Sequence, residues 1–137
     1  MIIKQISIFV EDRPGGLLEI TETLAENNIN IRALVLSEAT NNGILRIIVD
    51  EPDKVVKLLK ETGMILSVSN VLSVCADDKP GGLSAILKIL ADNNINIKYL
   101  YVSVDNKKAY ATIRVKSDDA ERASDILKQS GYIGLEE

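Results

Sequence analysis

Asp12-Arg13-Pro14-Gly15-Gly16-Leu17 returns 66 residues later as Asp78-Lys79-Pro80-Gly81-Gly82-Leu83. The match widens around this hexapeptide. Leu24-Ala25-Glu26-Asn27-Asn28-Ile29-Asn30-Ile31 stands opposite Leu90-Ala91-Asp92-Asn93-Asn94-Ile95-Asn96-Ile97, and between Asp12–Ser37 and Asp78–Ser103, 15 of 26 positions are identical. Such density marks an internal duplication, each copy being one small folding unit. Ile47 and Val49 keep the same offset with Ile113 and Val115. Leu58-Leu59-Lys60-Glu61-Thr62-Gly63 then matches Ile126-Leu127-Lys128-Gln129-Ser130-Gly131 at an offset of 68, so the second copy carries two extra residues before its last helix. The repeat predicts two domains, 1–69 and 70–137.

Within one copy, Ile6, Ile8 and Val10 alternate with Gln5, Ser7 and Phe9, the period of a strand. Pro14 interrupts that pattern and helical spacing begins, with Leu17, Ile20 and Leu24 on one face; the second copy repeats it with Leu83, Ile86 and Leu90. Asn28 follows where the helix must stop, because asparagine tolerates the left-handed conformation there. A second strand is expected from about Asn30 to Ser37. Asn41-Asn42-Gly43 predicts a tight hairpin into a third strand, Ile44 to Val49. Pro52 suits a first helical turn, Val55, Leu58 and Leu59 form a buried stripe, and Gly63 closes that helix. A fourth strand near Ile65 to Ser69 completes the order βαββαβ. The fold class is thus α+β: tandem ferredoxin-like domains, each a four-stranded antiparallel sheet with two helices on one face.

Both alternating sets of Ile31–Leu36 and of Ile44–Val49 are largely apolar. Helices on one face leave the other to meet a second sheet or another subunit. At about 65 residues a lone copy is also marginal. A homodimer is expected.

Composition narrows the function. The chain has 137 residues, 26% of them charged, with a net charge of −4. A dedicated nucleic-acid binder needs a basic stripe, so no nucleic-acid partner is expected. Tyr99, Tyr101 and Tyr110 fall on strands and read as core or interface residues rather than base-stacking platforms. No apolar run is long enough for a membrane span, and the start lacks a signal peptide, which predicts a cytoplasmic protein. There is no histidine and one cysteine, Cys75. The commonest acid–base residue and metal ligand is therefore missing, and a non-catalytic protein without cofactor or metal is expected. Cys75 sits in an alternating strand and reads as a small buried hydrophobe. Lys107-Lys108 reads as a solvated hairpin tip.

The repeated glycine loop joins a strand end to a helix start. Backbone N–H groups of Gly15, Gly16 and Leu17 belong to a first helical turn, which favours an anion. Glycine there lets a ligand approach the backbone. Asp12 can accept from an ammonium, and Asn30, placed near the same end of the sheet, offers both a donor and an acceptor. Together these groups match the two charges of an α-amino acid. The plainer reading makes Pro14 the first helical residue and Asp12 its cap. The candidate ligand-binding set is Asp12, Pro14, Gly15, Gly16, Leu17 and Asn30, repeated as Asp78, Pro80, Gly81, Gly82, Leu83 and Asn96.

Ile8 to Leu17 with Asn28-Ile29-Asn30-Ile31, and Val74 to Leu83 with Asn94 to Ile97, resemble the ACT domain family over nearly the whole chain. The resemblance implies a regulatory sensor of a small-molecule effector, usually an amino acid, attached to or associated with a metabolic enzyme. It implies edge-to-edge sheet pairing with ligands near the first strand–helix loop. In the phosphoglycerate dehydrogenase type it implies polar effector contacts at the positions of Asp12 and Asn30, and of Asp78 and Asn96. That type has asparagine at the Asp12 position and histidine at the Val10 position; here aspartate should prefer a ligand's ammonium. The copies differ at Val10 and Ala76, Ala33 and Tyr99, and Val35 and Tyr101, so two unequal sites are expected. An alternative function is a regulatory subunit acting by contact with a biosynthetic enzyme, similar to the small subunit of acetohydroxyacid synthase.

Overall fold

A computed structural model describes residues 1–136. The first repeat forms β1 (Ile2–Glu11), α1 (Gly16–Glu26), β2 (Ile31–Ala39), β3 (Asn42–Val49) and α2 (Pro52–Glu61). The second forms β4 (Leu66–Asp77), α3 (Gly82–Asp92), β5 (Ile97–Asp105), β6 (Lys108–Val115) and α4 (Ala120–Gln129). Two units result, one of residues 4–69 and one of residues 1–3 with 70–136.

In the first unit β3 pairs antiparallel with β1 and with β2, leaving β2 at the edge. Ile6 faces Ile47 across the ladder and Ile8 faces Leu45. These four are fully buried with Ile20 and Leu24 of α1 and Val55 and Leu59 of α2, so both helices cover the same sheet face. The second unit repeats the plan: β6 pairs antiparallel with β4 and β5, and Leu72, Val74 and Ile113 pack under Ile86, Leu90 and Leu127. Each edge strand carries an irregularity at the same place, between Ile31 and Ala33 and between Ile97 and Tyr99.

Among the described residues the strands number six, not two sets of four. The fourth strand of the first repeat and the first strand of the second are one twelve-residue strand, β4. Nothing between Leu66 and Val71 breaks an extended chain: Ser67-Val68-Ser69-Asn70 holds no glycine or proline. The corresponding tail of the second repeat, Tyr132 to Leu135, is not a strand. It still lies along β4, where the Cys75 N–H donates to the Ile133 carbonyl at 2.7 Å, as the Phe9 N–H donates to Ile65 at 3.0 Å. Gly134 stands where Leu66 stands in the first copy, and a β-carbon there would collide with the Ser73 carbonyl oxygen. Glycine permits the close approach and weakens the strand.

All four α-helices end in the same way. After α1, Asn28 adopts φ 58°, its N–H donating to the Ala25 carbonyl while the Ile29 N–H returns to Leu24. Asn94, Gly63 and Gly131 end α3, α2 and α4 with φ 57°, 81° and 92°. This is the Schellman arrangement, and Ile29 and Leu24 supply its apolar contact in the core. Asn28→Ala should lose about 1 kcal/mol of stability, since only glycine and asparagine enter this conformation readily, whereas Asn28→Gly should lose none. Urea denaturation of the three proteins checks the order. The two extra residues of the second copy fall in the segment that forms a three-residue 3₁₀ turn, Ser117–Asp119, before α4.

One local expectation is corrected. The first hairpin loop is Thr40-Asn41, one residue earlier than predicted, with φ 67° at Asn41 and Gly43 paired inside β3. The exposed apolar side chains of β2 are Leu34 and Leu36, at 47% and 46%. They pair with Ile47 and Leu45 and so lie on the helix side. Helices α1 and α2 pack over β1 and β3, leaving the edge strand uncovered. Val102 and Val104 repeat this on β5, paired with Ala111 and Ala109. No described helix is long and apolar enough to cross a membrane.

Candidate functional site

Each glycine loop borders an open cleft on the helix side of its own unit. In the first unit a cavity of about 520 Å³ is walled by the end of β1 (Phe9, Val10, Glu11), by Arg13, by Gly16, Glu19 and Ile20 of α1, by Asn42 of β3, and by the Thr62–Ile65 turn. In the second unit a cavity of about 530 Å³ is lined by Cys75, Asp77, Lys79, Gly81, Gly82, Ala85, Lys108 and the Gly131–Ile133 turn. Apart from Gly81, each of these is the repeat equivalent of a residue lining the first cavity. The duplication thus reproduced a cavity along with a sequence.

The loop conformation explains its glycines. Gly15 and Gly81 are the residues preceding the first helical turn, at φ 85° and 84°. Gly16 and Gly82 press against the strand they have just left: a β-carbon on Gly16 would sit 2.8 Å from the Glu11 carbonyl oxygen. Neither Pro14 nor Pro80 is the first helical residue, and no side chain caps either helix. The plainer reading of Asp12 as a cap therefore fails. The Gly16 N–H is engaged by the Arg13 carbonyl at 3.2 Å, and the Gly82 N–H by Lys79 at 3.0 Å. One of the three amides expected to face an anion is thus occupied in each copy.

Asp12 and Leu17 line a separate hollow of about 340 Å³ with Leu36, Ser37 and Glu38 of β2 and Asn42 and Gly43 of β3. Asp12, Pro14, Gly15, Asp78, Pro80 and Gly81 are exposed, while Leu17 and Leu83 are half-buried. Asn30 and Asn96 do not join them. Glu11 lies opposite Asn42, which lies opposite Ala39, whereas Ile31 lies opposite Val49 at the far end of the ladder. Asp12 and Asn30 are therefore separated by nearly the length of β2, about 25 Å. The expectation that they share one end of a sheet is corrected. A strand–helix–strand crossover carries the chain back along the sheet, so β2 starts where β1 started, not where it ended. Asn30 instead ties to Asp50, its N–H donating to Oδ1 at 3.2 Å and its carbonyl accepting at 3.3 Å.

Sequence reasoning did not single out the charged lining. Arg13 Nε donates to Glu11 Oε2 at 2.7 Å, and Nη2 donates to both Glu19 oxygens at 2.9 and 2.8 Å. The Glu11 hydrogen bond, then that of Glu19, holds the guanidinium charged, above its ordinary value. In the second unit, Glu19 is replaced by Ala85 and Asn42 by Lys108, while Lys79 Nζ lies 3.5 Å from Asp77 Oδ2. Lys108 is a β6 residue at the cavity wall, and only Lys107 belongs to the hairpin turn. Cys75 is half-buried on the same wall rather than in the core. The signal was in the repeat itself, since Gly63-Met64-Ile65 recurs as Gly131-Tyr132-Ile133. Among the described residues, no cluster of histidine, cysteine and carboxylate side chains is suited to a metal.

The model of the ACT domain pair matches residues 1–136. No curated protein matches the chain. Among solved structures, protein BT0572 from Bacteroides thetaiotaomicron is similar, with 36% identity and a TM-score of 0.91 over 98% of this chain and 92% of that one. The ligand-free regulatory subunit of aspartate kinase from Thermus thermophilus is 16% identical, with a TM-score of 0.67 over 95% and 97% of the two chains. The corresponding subunit from Thermus flavus is 15% identical, with a TM-score of 0.63 over 96% and 95%. At such identity the last two report a shared fold. With its duplicated strand–glycine-loop–helix units and the pair matched over residues 1–136, the chain belongs to the ACT domain family, a family of regulatory domains, as an ACT domain pair.

Proposed function

We propose that this protein is a non-catalytic sensor of a free amino acid, acting through two ACT domains, residues 1–69 and 70–137. The observation that supports it most is the repeated cavity. Each copy sets a strand end, a glycine loop and a charged side chain around a volume of about 520–530 Å³, the size of a small-molecule site. Of the loop residues, Gly16 in the first copy and Gly81 and Gly82 in the second are proposed to face the ligand, while Asp12 and Leu17 border the separate hollow. Asn30 and Asn96 do not complete the site of their own unit, because each lies at the far end of the sheet from its own aspartate. A ligand regulates by binding one state more tightly than another, with a typical coupling of roughly 1–3 kcal/mol.

Thermal unfolding of the intact chain with each proteinogenic amino acid at millimolar concentration tests this. A ligand at 100 times its dissociation constant adds about 2.7 kcal/mol, an upward shift of several degrees. One or a few amino acids should raise the midpoint selectively. A flat response to all of them sinks the sensor.

A second reading, a regulatory subunit that works by contact with a biosynthetic enzyme or with its own copy, draws on the edge strands. Leu34 and Leu36 on β2, and Val102 and Val104 on β5, are exposed beside unpaired strand edges. Such edges are templates for another strand. Lysine at Leu36 and Val102 together should shift the protein to monomer in analytical ultracentrifugation if these edges pair copies. An unchanged mass would reject that surface.

A further inference from the structure

We infer that the cavity of the second unit, and not its counterpart in the first, binds an α-amino acid that carries a second carboxylate. This rests on the sensor reading and names its ligand class and its working copy. The two cavities match in position and volume but differ in charge. The first presents Glu11, Glu19 and Arg13, two carboxylates to one cation, and its arginine is already engaged by both glutamates at 2.7–2.9 Å. An incoming carboxylate would have to displace charge-assisted hydrogen bonds and would meet a net negative wall. The second presents Asp77, Lys79 and Lys108, two cations to one carboxylate.

Two substitutions between the copies produce the reversal. Ala85 stands where Glu19 clamps Arg13, so Lys79 keeps a single carboxylate partner at the longer distance of 3.5 Å. Lys108 replaces Asn42 directly opposite Asp77; Asp105 of β5 lies opposite it on the other side, outside the cavity lining, and no salt bridge engages Lys108 among the described residues. Two ammonium groups and one carboxylate complement the two carboxylates and one ammonium of an acidic amino acid. A neutral amino acid would leave one lysine unmatched. Ala85 and Ile133 offer the apolar surface a short aliphatic stem needs, and about 530 Å³ accommodates it. The lysines are solvated, so no single pair dominates; discrimination comes from matching the count of charges in a shared cleft.

The test is a ¹H–¹⁵N NMR titration of the full chain with L-glutamate and L-aspartate, against L-glutamine and L-asparagine as neutral counterparts. The acidic amino acids should give saturable shifts at Lys79, Gly81, Gly82 and Lys108 and none at Arg13, Gly15, Gly16 or Asn42. Their neutral counterparts should bind at least tenfold more weakly. Lys108→Asn, which copies the first cavity, should weaken glutamate at least tenfold, while Lys108→Arg retains it. Lys108 is exposed at a strand end, so both variants should keep the wild-type spectrum elsewhere. Equal shifts in both loops, equal binding of glutamine, or no response to Lys108→Asn overturns the inference. Selective binding of a neutral amino acid alone overturns it while leaving the sensor standing; no binding of any amino acid removes both.

Discussion

Leu90→Ala is expected to lose roughly 2–5 kcal/mol of stability, the range for truncating a leucine in a packed core. Leu90 is fully buried between α3 and its sheet with Leu72, Ile113 and Leu127. Its carbonyl also accepts the Ile95 N–H at 2.9 Å, in the turn that ends the helix. Removing the side chain leaves a void that these neighbours fill only in part, and deletes the apolar contact with Ile95 that accompanies the turn. Leu24→Ala should behave alike in the first unit, where Leu24 is equally buried and accepts the Ile29 N–H at 2.9 Å. For a unit of this size each kcal/mol moves the midpoint by about 4–8 °C. Calorimetry of the two variants and the wild type decides it; a shift of only a degree or two in either would mean that the leucine is not the packing centre described.

Gly82→Ala should be the most damaging change in the glycine loops, at about 3 kcal/mol. A β-carbon there would run into the Asp77 carbonyl oxygen, backbone rather than a flexible side chain, so the start of α3 must move away from β4. Gly81→Ala provides the contrast. Nothing lies within 4 Å of its added carbon, and the only cost is the left-handed backbone at φ 84°, about 1 kcal/mol. Gly16→Ala falls between, with its contact at 2.8 Å. Urea denaturation should rank Gly82, Gly16 and Gly81 in that order. If Gly81→Ala proved the worst, conformational freedom rather than close approach would explain the paired glycines.

Much of the fold was legible. The alternation of Ile6, Ile8 and Val10, the stripe of Leu17, Ile20 and Leu24, and the stop at Asn28 each reappear as an element or its boundary. Pro52 and Gly63 bracket α2 as expected. Where the reading failed, the missing information was about neighbours. Leu34 and Leu36 look the same in sequence whether a helix covers them or not, and only the order of strands places β2 at an edge. The tail Tyr132 to Leu135 matches a strand by the repeat, yet one glycine in place of Leu66 changes how it runs.

The site divides along the same line. The duplicated loop, its need for glycine and its likeness to the glycine loop of ACT domains come from residue identity and spacing, because steric freedom at a single backbone position is a local property. The separation of Asp12 from Asn30 is topological: a crossover sends the chain to the far end of the sheet, and composition carries no trace of that. The opposite charge of the two cavities is tertiary as well. Asp77, Lys79 and Lys108 come from two strands and a loop, and Glu19 from a helix turn away from Arg13, so their summed field exists only once the chain is folded. Local chemistry determined which segments fold and how they end; long-range packing decided which charges share a cleft.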